Sequence, residues 1–294
     1  LDVDVLAEAT GRPGDVLGMH FFSPANVMRL LEVVRGARTE PAVLATVVKL
    51  AKTIGKVPVV SGVCYGFIGN RMLEGYLRES EFLLMEGATP AQIDGAIQSL
   101  GFAMGPCRML DMAGLDVGAK VVIENRKAGG LPPDPSYRAV VQAMFERGRF
   151  GQKTGAGYYR YDGRNPAPDP EVERICAELA ERYGITRRTD ISDQEIIERC
   201  LYPLVNEGAR ILEEGIASRP VDIDVIFVNG FGWPAWRGGP MFWADRMGLK
   251  AVRDKLAHYA EATNDPNLKP AALIEQLAKE GGSFATMKGA GKAA

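Results

Sequence analysis

"GMHFFSPANVMRLLEVVRG", residues 18–36, holds two short apolar runs joined by a polar, proline-bearing connection. Each run carries one residue that does not belong in a core. The first contains His20, one of only 2 histidines in the chain; the second, "RLLEVVRG", contains Glu32. Short apolar runs bounded by turn formers predict buried strands. Working outward, "PAVLATVVKLAKTIG" puts Val43, Val47, Leu50, Ala51 and Ile54 on one helical face, with Gly55 as the stop. "VPVVSG" then reads as a strand, and Pro58 predicts that it lies at a sheet edge or strand start. Strand, strand, helix, strand is part of a doubly wound α/β sheet. Such sheets place ligands at the carboxyl ends of their strands, where His20 would sit. Glu32, on the following strand, is then placed to reach one ring nitrogen and set the tautomer.

After "GVCYGFIGN" the pattern turns helical from Arg71 to Ile123, and Asn70 marks the seam where a cleft would form. "MLEGYLRESEFLLMEG" spaces Met72, Leu73, Tyr76, Leu77, Leu83 and Leu84 for one buried face, with Glu74 and Arg78 as an exposed pair. Thr89, Pro90 and Gln92 spell a capping box, as do Ser192 and Glu195. The Gly- and Pro-rich stretches 129–135 and 155–170 read as loops.

The later part of the chain repeats the earlier. "ILEEGIASRPVDIDVIFVNGFGWP" (211–234) follows "LLMEGATPAQIDGAIQSLGFAMGP" (83–106) in order: Glu-Gly, a proline, an aspartate four residues on, then Gly-Phe. Both copies reach an Asp ahead of Gly-Leu, at Asp111 and Asp245. Duplication of one helical domain accounts for this, with equivalent helix orders expected over 71–123 and 199–251. The two aspartates are expected to cap or pair within their copies rather than act as acids.

Composition narrows the chemistry. A net charge of -2 over 294 residues gives no basic surface for nucleic acid. Four widely spaced cysteines and 2 histidines leave no zinc spacing and no disulfide framework, so a cytoplasmic setting with reduced thiols is expected and no metal. No apolar stretch reaches the roughly 18 residues of a membrane-spanning helix.

"GMHFFSPANVMRLLEVVRG", "KVPVVSGVCYGFIGNRML", "GPCRMLDMAGLD" and "GQKTGAGYYRY", with "GFGWPAWRGGPMFWADRMGL" in the second copy, resemble the 3-hydroxyacyl-CoA dehydrogenase family. The likeness is to the dehydrogenase part of a multifunctional fatty-acid β-oxidation protein, in which an enoyl-CoA hydratase domain comes first. It covers nearly the whole chain. The resemblance implies an α/β remnant of a Rossmann-type, NAD-binding domain over residues 1–64. Two duplicated all-α domains would follow, at 65–187 and 188–294, making the whole mainly α. It carries the family's catalytic His and Glu onto His20 and Glu32 and its active-site Asn onto Asn70. The implied reaction is oxidation of (S)-3-hydroxyacyl-CoA to 3-oxoacyl-CoA with NAD, with His20 taking the hydroxyl proton as hydride leaves C3. An acyl-CoA substrate is implied, and a thiolase subunit and an oligomer are compatible partners.

Two of the family's features do not appear. Its serine near the substrate hydroxyl would align immediately before Leu1, and no G-x-G-x-x-G turn occurs. "GAGYYR" and "GAGKAA" lack both the third glycine and the strand–helix context. The reading is therefore of an N-terminally truncated fragment without cofactor-binding residues of its own, expected to be folded but inactive. The rival reading is a non-catalytic helical assembly module, which would need none of His20, Glu32 and Asn70. Trp233, Trp236 and Trp243 crowd one Gly/Pro-rich region with Arg237 and are expected to pack at an interface. "RGRFGQKTGAG" reads as a structural turn, and the terminal "MKGAGKAA" as a frayed tail.

Overall fold

The computed structural model describes residues 2–287, so the terminal "MKGAGKAA" lies, but for Met287, outside the described residues. The fold is mainly helical with a small α/β sheet near the start. It opens with a helix the apolar pattern did not announce, α1 (Val3–Ala9), capped by the Asp2 carboxylate on the N–H of Asp4 and Val5. Then come β1 (Gly18–Phe21), β2 (Leu30–Val34), α2 (Pro41–Thr53) and β3 (Val57–Ser61), the expected order of strand, strand, helix and strand. The contacts divide the chain into two compact units, Leu1–Gly75 with Leu201–Ala294, and Tyr76–Cys200.

In the first unit the strands lie in the order β1-β2-β3, antiparallel between β1 and β2 and parallel between β2 and β3. Pro58 therefore sits on an edge strand of this sheet, where its missing N–H is tolerated. All five residues of β2 are buried. Leu31 and Val33 face a cluster with Ala51, packed by Leu17, Met19, Leu44 and Val47. Leu50 and Ile54, expected on that face, are instead 47% and 48% exposed. The stripe that meets the sheet runs Leu44, Val47, Ala51, and the two fall on its flank. The same unit holds the start of α3 (Gly69–Glu86) and the later part of α9 (Asp193–Glu213). It also holds α10 (Pro220–Gly230), α11 (Pro240–Met247), α12 (Leu249–Ala262) and α13 (Ala272–Glu280). Helix α10 packs on β2 and β3.

The second unit contains the rest of α3, then α4 (Pro90–Gln98), α5 (Pro106–Ala113), α6 (Leu115–Lys127), α7 (Ala139–Glu146) and α8 (Pro170–Tyr183). Arg78, expected in an exposed pair, is buried and donates from Nε to Glu79 Oε1 at 3.1 Å. Periodicity alone placed it outside; in the fold it joins a buried ionic core. There Arg199 bonds Glu79 and Glu86 at 3.0 and 2.6 Å. Glu81 bonds Arg138 at 2.8 Å and the amides of Val140 and Val141 at the start of α7. Thr89 caps α4 through Gln92 N–H, but the Gln92 side chain donates to Ile191 O at 2.8 Å rather than closing the box. The stretch read as loop after Gly155 contains a hairpin, β4 (Arg160–Asp162) with β5 (Asn165–Ala167).

Candidate active site

The antiparallel register places His20 directly opposite Glu32, and directly opposed residues share one face of the sheet. His20 Nδ1 and Glu32 Oε2 are 2.7 Å apart. Glu32 is completely buried, whereas the His20 side chain keeps 26% of its surface exposed. The other oxygen, Glu32 Oε1, accepts the backbone N–H of Ile68 at 3.1 Å and of Gly69 at 3.0 Å. These amides stand at the start of α3, where unpaired donors and the helix dipole favour a carboxylate. With Oε1 held by two donors, the carboxylate accepts from Nδ1–H through Oε2. Nε2 is thereby left as the ring atom with a lone pair. Among the described residues no protein group bonds Nε2.

The turn carrying these amides is shaped for the task. Phe67, just before them, has φ +50, a conformation bulky residues rarely adopt. Its ring centroid lies 5.5 Å from that of His20, and Phe22 lies at 4.6 Å on the imidazole. Asn70 is the second residue of α3, exposed, and next in the chain to the Gly69 amide that holds Glu32. Its neighbour Arg71 ties this first turn to α9, from Nε to Glu207 at 2.6 Å, and to the residue just past it, as a fork to Glu214 at 2.6 and 2.7 Å. The structure thus brings His20 and Glu32 together and sets Asn70 one residue beyond the Gly69 amide, while the sequence reading did not name the amides of Ile68 and Gly69. "GFIGN", a glycine-flanked helix start after a strand, was the available signal for an anion-holding terminus.

Other singled-out residues resolve into structure. Asp94 accepts the N–H of Cys107 and Arg108 at the start of α5. Asp224 likewise accepts those of Met241 and Phe242 at the start of α11. Asp111 accepts from Tyr158 and Tyr159, and Asp245 from Phe284 and Ala285. All four hold backbone amides, as expected for Asp111 and Asp245. Trp233 and Trp243 are buried and meet edge to face at 5.9 Å. Trp236 is 72% exposed under the Arg237 guanidinium. The four cysteines are free thiols, and no cluster among the described residues is arranged to hold a metal ion. No helix among them is long and apolar enough to cross a membrane.

The β2–α2 connection is where a strand-to-helix turn could receive a dinucleotide pyrophosphate. Two of its amides bond within the chain: Gly36 N–H donates to Thr39 Oγ1 at 2.9 Å and Ala37 N–H to Asp4 Oδ1 at 2.7 Å.

Residues 1–64 match the family model for the 3-hydroxyacyl-CoA dehydrogenase NAD binding domain. The model for the C-terminal domain of the same family matches twice, at residues 66–161 and 196–291. The peroxisomal bifunctional enzyme of Danio rerio is 50% identical over 96% of this chain and 41% of its own length. That of Homo sapiens is 46% identical over 96% of this chain and 40% of its own. The chain thus spans about two fifths of these relatives. Among solved structures, the dehydrogenase part of multifunctional enzyme 1 from C. elegans is 36% identical with a TM-score of 0.67, covering 94% of this chain and 62% of that one. The 3-hydroxybutyryl-CoA dehydrogenase of Escherichia coli, at 24% identity and TM-score 0.78, shares the fold over 95% of this chain and 74% of its own. From its sheet to its second helical repeat, the chain belongs to the 3-hydroxyacyl-CoA dehydrogenase family.

Proposed function

We propose that this chain supplies the catalytic base and the helical domains of an NAD-dependent dehydrogenase that oxidises (S)-3-hydroxyacyl-CoA to 3-oxoacyl-CoA in fatty-acid β-oxidation. We place it within a multifunctional polypeptide that also carries an enoyl-CoA hydratase. The observation that carries this reading is the His20–Glu32 pair: a part-exposed imidazole bonded at 2.7 Å to a fully buried carboxylate. A docking module has no use for such a pair.

In this reading His20 Nε2 accepts the proton of the substrate 3-hydroxyl, and in the reverse direction returns it. Imidazole suits both directions because its ordinary pKa lies near working pH. Glu32 balances the charge that forms on the ring, and the two amides keep the carboxylate from turning away. Asn70 donates its side-chain amide to the reacting oxygen. NAD is the hydride acceptor this reaction requires, and the match of residues 1–64 to an NAD binding domain supports it.

The division into 1–64, 65–187 and 188–294 is our domain proposal, supported by one family-model match in the first segment and one beginning in each of the others. A partner subunit is proposed from the name of a Psychrobacter arcticus relative, fatty acid oxidation complex subunit alpha, and the family resemblance makes a thiolase the candidate. As to compartment, relatives named peroxisomal make a peroxisome as fitting as the cytoplasm for a chain of free thiols. The decisive experiment replaces His20 by Gln in the native protein and follows NADH formation from a short 3-hydroxyacyl-CoA. Turnover should fall by about three orders of magnitude or more, and near wild-type turnover would end the assignment.

A further inference from the structure

Among the side chains that the second helical repeat brings to the candidate site, Phe231 touches both the aromatic wall and the amide turn. Phe231 caps the C-terminus of α10 at the repeat's Gly-Phe corner. Its ring meets Phe22 edge to face, with centroids 5.4 Å apart at 82°. Phe22 in turn lies 4.6 Å from the His20 ring. On another side Phe231 presses on the backbone of Gly69: a Cβ built there would stand 2.5 Å from Phe231 Cε2. Gly69 is one of the two amide donors to Glu32. Behind, Phe231 stacks on the buried Phe227 at 4.9 Å, which anchors it in the helical repeat. One residue 199 positions beyond Glu32 therefore backs both halves of the pair.

We propose that Phe231 is a positioning residue for the His20–Glu32 pair, holding the imidazole through Phe22 and the carboxylate through the Gly69 amide. The hydrogen bond at Nδ1 fixes where that nitrogen sits but leaves the ring free to tilt about it. A flanking aromatic wall removes that freedom. Misplacement of a reacting group by about 1 Å costs on the order of 100-fold in rate, so loss of the wall should appear in kcat. This inference rests on the proposed dehydrogenase reading for its kinetic arm, and on geometry alone for its spectroscopic arm.

The test compares Phe231→Ala, Phe231→Leu and Gly69→Ala with Phe102→Ala in the native protein. Phe102 is the same Gly-Phe corner in the first repeat, whose compact unit lacks the β1–β3 sheet. Phe231→Ala should lower kcat by about 10- to 100-fold with KM changed less than about threefold. Gly69→Ala, which pushes the ring away without deleting it, should do likewise, and Phe231→Leu should recover most of the rate. In histidine-labelled protein the His20 Nδ1–H resonance should broaden in the first two variants and stay sharp in Phe102→Ala. If Phe231→Ala does not fold, Phe231→Leu and Phe22→Leu carry the same comparison with smaller effects. A folded Phe231→Ala enzyme with unchanged kcat and an unchanged His20 signal would overturn the proposal. So would an equal kcat loss in Phe102→Ala, which would mean generic damage to a helical repeat. Absence of dehydrogenase activity in the wild type would instead strike the functional reading, and the resonance would still report on positioning.

Discussion

The two helical repeats use the same devices and put them to different ends. In each, Pro opens the second helix of the repeat, at Pro90 and Pro220, and an Asp four residues later caps the third, at α5 and α11. A glycine with φ near +90 then links the third helix to the fourth, Gly114 at +96 and Gly248 at +87. A second Asp at the end of the third helix holds a returning strand of chain, at Asp111 and Asp245. The first repeat adds phenol donors: Tyr159 OH to Asp94 at 2.8 Å and Tyr161 OH to Asp111 at 2.9 Å. Among the described residues the second repeat has only backbone donors on its pair, and its Gly-Phe corner packs on the sheet that carries His20 and Glu32. Duplicated sequence thus preserved the caps, which are local necessities of each helix. Beyond the caps the copies differ, the first in its phenol donors and the second in the contact of its Gly-Phe corner with the sheet.

The sharpest way to break this contrast is at the site itself. Beside the loss expected for His20→Gln, Glu32→Gln should lower kcat by about 100- to 10,000-fold, as when an acid orienting a catalytic histidine is neutralised. KM should move far less, since the charge matters most while the ring is cationic. Steady-state kinetics with a short 3-hydroxyacyl-CoA separates the two. A change confined to KM would place Glu32 in binding rather than in proton transfer.

Next come the caps, which should affect folding and leave the chemistry alone. Asp94→Ala removes an acceptor from two amides and a phenol and should destabilise by about 3 kcal/mol, against about 2 kcal/mol for Asp224→Ala, which loses amides only. Denaturant titration of both variants ranks them, and the reverse order would mean that the phenol adds nothing.

The smallest expected effect is one of pH. Burial pushes the Asp224 carboxyl up to about 7, against the opposing pull of the Met241 and Phe242 amides. Burial likewise raises Asp111 to about 6, opposed by the Tyr158 amide and the Tyr161 hydroxyl. A carboxyl with a raised folded pKa keeps its proton where the unfolded chain has lost it. Its contribution to stability therefore declines as pH rises from about 4 through that folded value. Asp224→Asn should flatten the fall in unfolding temperature between about pH 4 and 7. The same change at Asp111 should flatten it over a narrower window ending near 6. Thermal scans across that range would show it, and identical slopes in wild type and both variants would refute it.

Much of this was legible in the sequence because it is local or repeated. The order strand, strand, helix, strand follows from apolar runs and period, the Thr89 cap from residue type, and the duplication from matched offsets such as Pro90–Asp94 and Pro220–Asp224. His20 and Glu32 stood out as polar residues in runs built for burial. What sequence could not decide was every relation between distant segments. The antiparallel register that sets His20 against Glu32, the amides of Ile68 and Gly69 on the far carboxylate oxygen, and the burial of Arg78 beside Glu79 arise only on packing. So does the seat of Phe231 on Gly69. Hydrophobic period reports which face of one element is buried. It carries no information about which partner buries it, because area is removed from water equally well by any apolar neighbour. Hydrogen-bond geometry and ring contacts choose among those partners, and they exist only once the chain has closed upon itself.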